Sequence, residues 1–393
     1  MKRLIPLIIF VLTITGVFAQ TTTTRILNWD GIDREYIEYI PSIYDGNTAA
    51  PVVFCLHGLG DNMSNFSGIG FQQIADQTGW IVITPQALMA TIQFVGDLGT
   101  AWNSGAGIEN APMLGNVILN EGVDDSGFLM AVLDSLENNY NINTDSVFFT
   151  GFSLGGFMSN RMGAEHSDRI TAIASVSGTI GKFFTPNPAQ NIKAMHIHGD
   201  SDSQIAYEDA GFDTGMGVYS IGMGAEECVE YWRSFNNSDP TPIVTYYPDT
   251  QADGKTFERY FYDNGDNGSY NAFIKVIGGD HEWYYAPVND IDYTTEIYKF
   301  FTNTMDFPTT ITEKDKNIEM SLYPNPASST VHISTKGINN YTLELVDITG
   351  KSLLKTSGNK NNAIIDISTY PQGMYFVSVK SDKENFVQKL IIR

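Results

Sequence analysis

Ser153 stands inside Gly151-Phe152-Ser153-Leu154-Gly155, directly after the apolar run of residues 146–149. A G-x-S-x-G pentapeptide between a strand and a helix forces a sharp turn that exposes the hydroxyl. Its glycines let the helix pack close to the strand. The chemistry such a serine could do is nucleophilic attack with transient acylation. That requires a histidine to take its proton and an acid to fix the tautomer of the histidine. An ordinary glycine-rich turn is the competing reading, so the partners decide between the two.

On a doubly wound sheet those partners follow in the order Ser, Asp, His, on loops after later strands. The run 194–199 is followed by a loop offering Asp200 and Asp202, and the run 272–279 by one offering His281. The chain has six histidines, and the other five sit elsewhere. His332 belongs to the C-terminal segment, His166 to the end of the helix after Ser153, and His57 to the end of an early strand. His196 and His198 alternate within one strand. His281 follows the last core strand on a glycine-led loop and is the candidate base. The segment 56–62, Leu-His-Gly-Leu-Gly-Asp-Asn, is of a type that presents a backbone N–H. Paired with the N–H after the nucleophile it would hold an oxyanion, and the donors would be Leu59 and Leu154.

These residues need a scaffold. Residues 51–56, 80–85, 146–151, 170–178, 194–199 and 272–279 are short β-branched or aromatic runs that stop at Gly or Pro, and they read as strands. Residues 122–140 place Phe128, Val132, Leu133 and Leu136 on one helical face, with acids near the start. A second helix is expected over 154–165. The alternation predicts an α/β fold, a doubly wound, mostly parallel sheet covered on both faces. Residues 304–317 are polar and read as a linker. Residues 318–393 alternate with period two between Gly, Asn and Lys turns, as in a small all-β sandwich. The acid-rich stretch 262–271 resembles a calcium loop, but Gly265 occupies its third position, so a hairpin turn is expected.

Residues 1–19 have a basic start, an apolar middle and a small-residue end at Ala19, and read as a secretory signal peptide. No cysteine stands directly after Ala19, which speaks against a lipid anchor. No later run approaches the ~20 apolar residues needed to cross a bilayer. The formal charge of −22 argues against nucleic-acid or anionic-membrane partners. It is uneven: residues 20–317 hold 13 basic and 39 acidic side chains, a net of −26, whereas 318–393 hold 8 and 6, a net of +2. That break implies two units. Two cysteines, Cys55 and Cys228, make no disulfide framework, and Cys55 in an apolar run is expected buried and inert. Cys and His at zinc spacing are absent, and neither a metal nor a cofactor is expected.

In chain order, CLHGLGDN (55–62), TAWNSG (100–105), residues 123–162, HIHGDSDSQIAY (196–207) and GGDHEW (278–283) resemble the motifs of polyhydroxybutyrate depolymerase-like esterases. That group overlaps carbohydrate esterase family 1, with its feruloyl and acetyl xylan esterases. The resemblance covers most of residues 24–303. It implies an α/β-hydrolase domain over 20–303 that hydrolyses carboxylic esters through Ser153, Asp202 and His281. In the family's His-Gly-x-x-Asp motif the fifth residue is the catalytic acid, which selects Asp202 and leaves Asp200 as a loop neighbour. The family often has Gly-Gly-Gly-His where this chain has Gly278-Gly279-Asp280-His281, and this chain lacks its frequent disulfide cysteines. Trp102 matches a position near the family's substrate cleft, where an indole would stack on a sugar or feruloyl ring; a buried core tryptophan is the other reading.

SLYPNPASSTVHIS, DITGK, GMYFVSV and the closing QKLIIR resemble the type A sorting domain of the Bacteroidetes type IX secretion system. This implies that machinery as a partner through 318–393, and an extracellular or outer cell-surface location. A carbohydrate-binding module of the same shape is the alternative. The combined expectation is a secreted serine esterase acting on feruloyl or acetyl esters of xylan. The runner-up is an extracellular polyhydroxyalkanoate depolymerase. A non-catalytic secreted glycan-binding protein is the reading from another class.

Overall fold

The structure is a computed structural model. It describes residues 20–305, apart from 93, 216 and 252, and residues 319–393, apart from 337–339, 348–350, 359–361 and 381–384. The expected signal peptide and all but the first two residues of the expected linker lie outside the described residues. Two compact units divide between Met305 and Asp306.

The first unit is built on one ten-stranded sheet. Its strands are β1 (Thr21–Trp29), β2 (Ile32–Ile40), β3 (Ala50–Leu56), β4 (Ile81–Pro85), β5 (Ile142–Phe152), β6 (Ala172–Val176), β7 (Lys193–Gly199), β8 (Ile243–Tyr246), β9 (Thr256–Tyr262) and β10 (Asn271–Ile277). The spatial order is β1-β2-β4-β3-β5-β6-β7-β10-β9-β8. The six central strands, β4 to β10 in that order, are parallel. Both edges are antiparallel: β1–β2 pairs onto β4, and β8–β9 pairs onto β10. The expectation of a parallel sheet therefore holds at its centre. The N-terminal edge turns at Asp30-Gly31, both with positive φ (51° and 77°), the type I′ geometry that favours such a pair. Residues 262–271 form a connection between antiparallel strands, with one 3-10 turn at Asp266–Gly268, as expected.

Helices α1 (Phe71–Thr78), α2 (Asp125–Asn139), α3 (Leu154–Glu165), α4 (Ala225–Phe235) and α5 (Tyr293–Phe301) cover the sheet. Side chains alternate across a strand, so adjacent phenylalanines of β5 serve opposite faces. Phe149 joins the core formed with α2 and α3, while Phe148 stacks on Phe301 of α5 at 4.6 Å between ring centroids. Helix α2 starts at an Asp124 cap that accepts from the Gly127 amide, and it buries Phe128, Val132, Leu133 and Leu136, the face expected from spacing. Each such side chain taken from water contributes about 1.5–3 kcal/mol. Cys55 and Cys228 are both free and buried, and burial raises the Cys228 thiol to about 12.

Three small hairpins lie outside the sheet: Leu88–Ile92 with Gly96–Ala101, Gly107–Ala111 with Gly115–Ile118, and Gly211–Asp213 with Val218–Ser220. The Asn120 side chain closes the base of the first, donating to the carbonyls of Leu88 (3.1 Å) and Ala101 (2.7 Å).

The second unit has a three-stranded sheet (Glu319–Tyr323, Thr330–Lys336, Asn362–Asp366) and a four-stranded sheet (Ser352–Gly358, Tyr341–Asp347, Gly373–Lys380, Asn385–Ile392). Val331, Ile333 and Ile365 of the first join Leu343, Leu345, Val377, Val379 and Leu390 of the second in one core, which makes the pair a β-sandwich.

Candidate active site

Strand β5 ends where α3 begins, and Ser153 is the hinge, with φ 53° and ψ −121°. A non-glycine residue held there stores on the order of 1–3 kcal/mol, sustained only when its surroundings over-determine it. They do: the Ser153 amide donates to the Val176 carbonyl (2.8 Å), and the Ser153 carbonyl accepts from the Gly156 and Phe157 amides (2.8 and 3.1 Å). The flanking glycines are required sterically. A Cβ at Gly155 would meet the Leu56 carbonyl, and one at Gly151 the Gly155 carbonyl. With the backbone pinned, the side chain faces a cavity of about 610 Å³.

The loop after β7 brings Asp202, 7% exposed, and the loop after β10 brings His281. His281 Nδ1 donates to Asp202 Oδ2 at 2.8 Å and lies 3.0 Å from Oδ1. A carboxylate only accepts, so the ring proton is on Nδ1 and the Nε2 lone pair is left to act as a base. Asp202 Oδ1 also accepts from the amides of Gln204 (2.9 Å) and Ile205 (2.8 Å). Burial alone would raise the Asp202 carboxyl. Hydrogen bonds from His198 and His281 outweigh it and hold the group below the ordinary carboxylate range. The face of His281 rests on Phe152, with ring centroids 4.6 Å apart.

Two further acids join the loops together. Asp280 accepts from the amides of Ser203 and His281, both at 2.8 Å. Asp200 accepts from the Gly278 amide at 2.7 Å. Neither is among the partners of the His281 ring. The acid-bearing and base-bearing loops are thus clipped to each other.

Leu59 and Leu154 line the same cavity as Ser153 and His281. The Leu154 amide opens α3, where no preceding turn supplies an acceptor. The loop carrying Leu59 is tied on both sides: Gly60 N donates to Thr100 O (2.9 Å), and His57 Nδ1 donates to Gly58 O (2.8 Å). His57 Nε2 in turn accepts from the Ala87 amide (3.1 Å). Burial lowers the His57 pKa, which suits this neutral tautomer. Sequence reasoning saw in His57 only the end of a strand; it is the internal strut of the loop.

Of the two readings of Trp102, substrate contact and buried core, its surroundings fit the second. Trp102 is 0% exposed and is not part of the cavity lining. Its Nε1–H donates to the His57 carbonyl at 2.9 Å, so it holds the Leu59 loop from behind. Trp102→Phe removes that donor from a buried acceptor and should cost about 1–3 kcal/mol of stability. KM for a soluble ester should stay at the wild-type value. Chemical denaturation and initial-rate kinetics check this, and a raised KM with unchanged stability would reinstate the substrate contact.

The cavity wall is largely apolar and comes from the three hairpins: Val95 and Leu98 from the first, Ile108 and Val117 from the second, Phe212 and Tyr219 from the third. Among the described residues no group of three or more His, Cys, Asp or Glu could hold a metal ion. The His281–Asp202 pair, the Ser153 turn and the first free amide of α3 thus border one cavity, the components that nucleophilic catalysis by a serine requires.

Residues 42–210 match the Phospholipase/Carboxylesterase family, and residues 321–393 match the Secretion system C-terminal sorting domain. The central sheet, elbow and loop order are those of the α/β-hydrolase fold. Among curated relatives, a bifunctional acetylxylan esterase/xylanase of Neocallimastix patriciarum is 24% identical over 265 residues, 66% of this chain and 33% of that protein. Feruloyl esterase B of Piromyces equi is 24% identical over 253 residues, 63% of this chain and 42% of that protein. The chain thus spans between a third and a half of the length of these relatives. A solved acetyl xylan esterase from Aspergillus awamori is 14% identical with a TM-score of 0.48, covering 71% of this chain and 99% of that one.

Proposed function

We propose that this chain, an α/β-hydrolase unit followed by a secretion-system sorting domain, is an exported serine esterase that cleaves feruloyl or acetyl esters of plant polysaccharide. One observation carries the reading: the His281–Asp202 pair opens on the same cavity as the strained Ser153 turn. Ser153 Oγ attacks the ester carbonyl while His281 Nε2 takes its proton. The carbonyl π pair moves onto oxygen, and the Leu59 and Leu154 amides hold that oxyanion. Collapse breaks the ester C–O bond, and His281 returns the proton to the departing alcohol. Water then repeats the sequence on the acyl-serine. The relatives named for acetylxylan and feruloyl esters support the substrate class. A cavity of about 610 Å³ with mostly apolar walls favours the aromatic acyl group, since acetyl would leave most of it empty.

Methyl ferulate, acetylated xylan and polyhydroxybutyrate, assayed side by side, test this. Turnover of methyl ferulate is expected. Activity confined to polyhydroxybutyrate would replace the reading with its runner-up, and binding without turnover on all three would make the protein a glycan binder.

The proposed organisation is a signal peptide at 1–19, the esterase domain at 20–303, a linker at 304–317 and a type IX sorting domain at 318–393, leaving the enzyme extracellular or on the outer cell surface. Residues 20–303 alone should fold and keep full kcat and KM on a soluble ester, because every group assigned to the reaction lies within them. Removing 318–393 should leave the protein in the periplasm of a host that has the secretion machinery. Normal release of the truncated chain would remove the sorting role.

A further inference from the structure

Behind the acid lies a row of buried polar side chains that the proposed reaction does not use. His196 and His198 are two residues apart on β7, 3% and 1% exposed, and Ser175 pairs with His196 across from β6. Ser175 Oγ is 2.8 Å from His196 Nδ1, His196 Nε2 is 3.1 Å from His198 Nδ1, and His198 Nε2 is 2.9 Å from the Ile205 carbonyl. The same Nε2 is 3.4 Å from Asp202 Oδ2.

The proton positions follow from the far end. A carbonyl and a carboxylate accept, so His198 carries its proton on Nε2. A neutral ring then has a lone pair on Nδ1, which the Nε2–H of His196 meets. That leaves His196 Nδ1 to accept from the Ser175 hydroxyl. Burial, and then the neighbouring His198, push His196 well below the ordinary imidazole range, which keeps it neutral and the direction fixed. Phe273 stacks on His196 and Tyr207 closes edge-on over His198, so the row is enclosed. Every proton in it points toward Asp202.

We propose that Ser175, His196 and His198 form a polarised brace that orients Asp202 from its buried side, with His198 as a positioning residue for the acid. The proposal rests on the reading of Asp202 as the catalytic acid. His198 acts at two points. It bonds the carbonyl of Ile205, whose amide holds Asp202 Oδ1, and it lies 3.4 Å from Oδ2, the oxygen that His281 also meets. The carboxylate is thereby kept from rotating out of the plane in which it receives His281.

His198→Phe keeps a planar aromatic ring and removes the donor. It should lower kcat several-fold to about tenfold, the scale of one lost hydrogen bond to the carbonyl of Ile205, with KM unchanged. The low-field proton signal of the His281–Asp202 hydrogen bond should shift or broaden. His198→Gln, whose amide nitrogen can reach the same oxygens, should restore most of the rate and the signal. Ser175→Ala should give a smaller kcat loss in the same direction; it decides alone if the phenylalanine variant does not fold. Wild-type kcat and signal in both variants, while Asp202→Asn collapses the rate, would overturn the brace alone. A silent Asp202→Asn would instead overturn the acid assignment on which it rests.

Discussion

Ser153→Ala should lower kcat for ester hydrolysis by about 10⁶, the scale seen when a triad serine is removed from another hydrolase. Covalent labelling by a fluorophosphonate should vanish with it. The circular dichroism spectrum should not change. The structural work of this residue is done by its amide, bonded to the Val176 carbonyl, and by its carbonyl, bonded to the Gly156 and Phe157 amides. Alanine retains both. The side chain lines the cavity and can be trimmed without opening the core. Labelling at the wild-type rate in the variant would move the nucleophile to another serine and dismantle the proposed mechanism.

Asp202→Asn should cost about 10⁴ in kcat, as the same change does in another triad enzyme. The direction follows from the local hydrogen bonds. The Gln204 and Ile205 amides both donate to Oδ1, so the asparagine oxygen must occupy that position. Its NH₂ group then falls where Oδ2 was and points a donor at His281 Nδ1. Nδ1 must become the acceptor, the ring proton moves to Nε2, and Nε2 can no longer take a proton. Asp200→Asn should stay within a few-fold of wild type, because its oxygen can still accept from the Gly278 amide. Steady-state kinetics of both variants on one soluble ester decide the matter, and a more damaging change at residue 200 would show that the acid had been placed two residues too late.

The parallel centre of the sheet was legible because strands buried on both faces tend to be near-continuous apolar runs, as at 51–56, 80–85 and 146–149. The elbow was legible because close packing of α3 admits only glycine at 151 and 155. The edge strands were harder to read. β1 is largely exposed, so its residues carry no periodic apolar signal beyond the Asp-Gly turn that follows it. The hairpins of 88–118 are glycine-rich, with few buried positions, and could be read only as loop. The position of Trp102 was out of reach for a different reason. Its partner is a backbone carbonyl 45 residues away, and a carbonyl leaves no mark on residue type. His57 shows the same limit, since its ring bonds the backbone at Gly58 and Ala87.

The three hairpins have an evolutionary consequence. They contribute much of the cavity wall, yet none of their strands belongs to the main sheet, and Asn120 shuts the first of them at its base. The serine, the imidazole and the carboxylate, in contrast, are all anchored to strand ends. Diversification can therefore proceed by exchanging the hairpins at 107–118 and 211–220, while Thr100 and Trp102, which hold the Leu59 loop, stay in place and the reaction centre is inherited unchanged. Related chains should differ in length and sequence most within those two intervals, and grafting them between chains should transfer acyl preference without a new round of selection for folding.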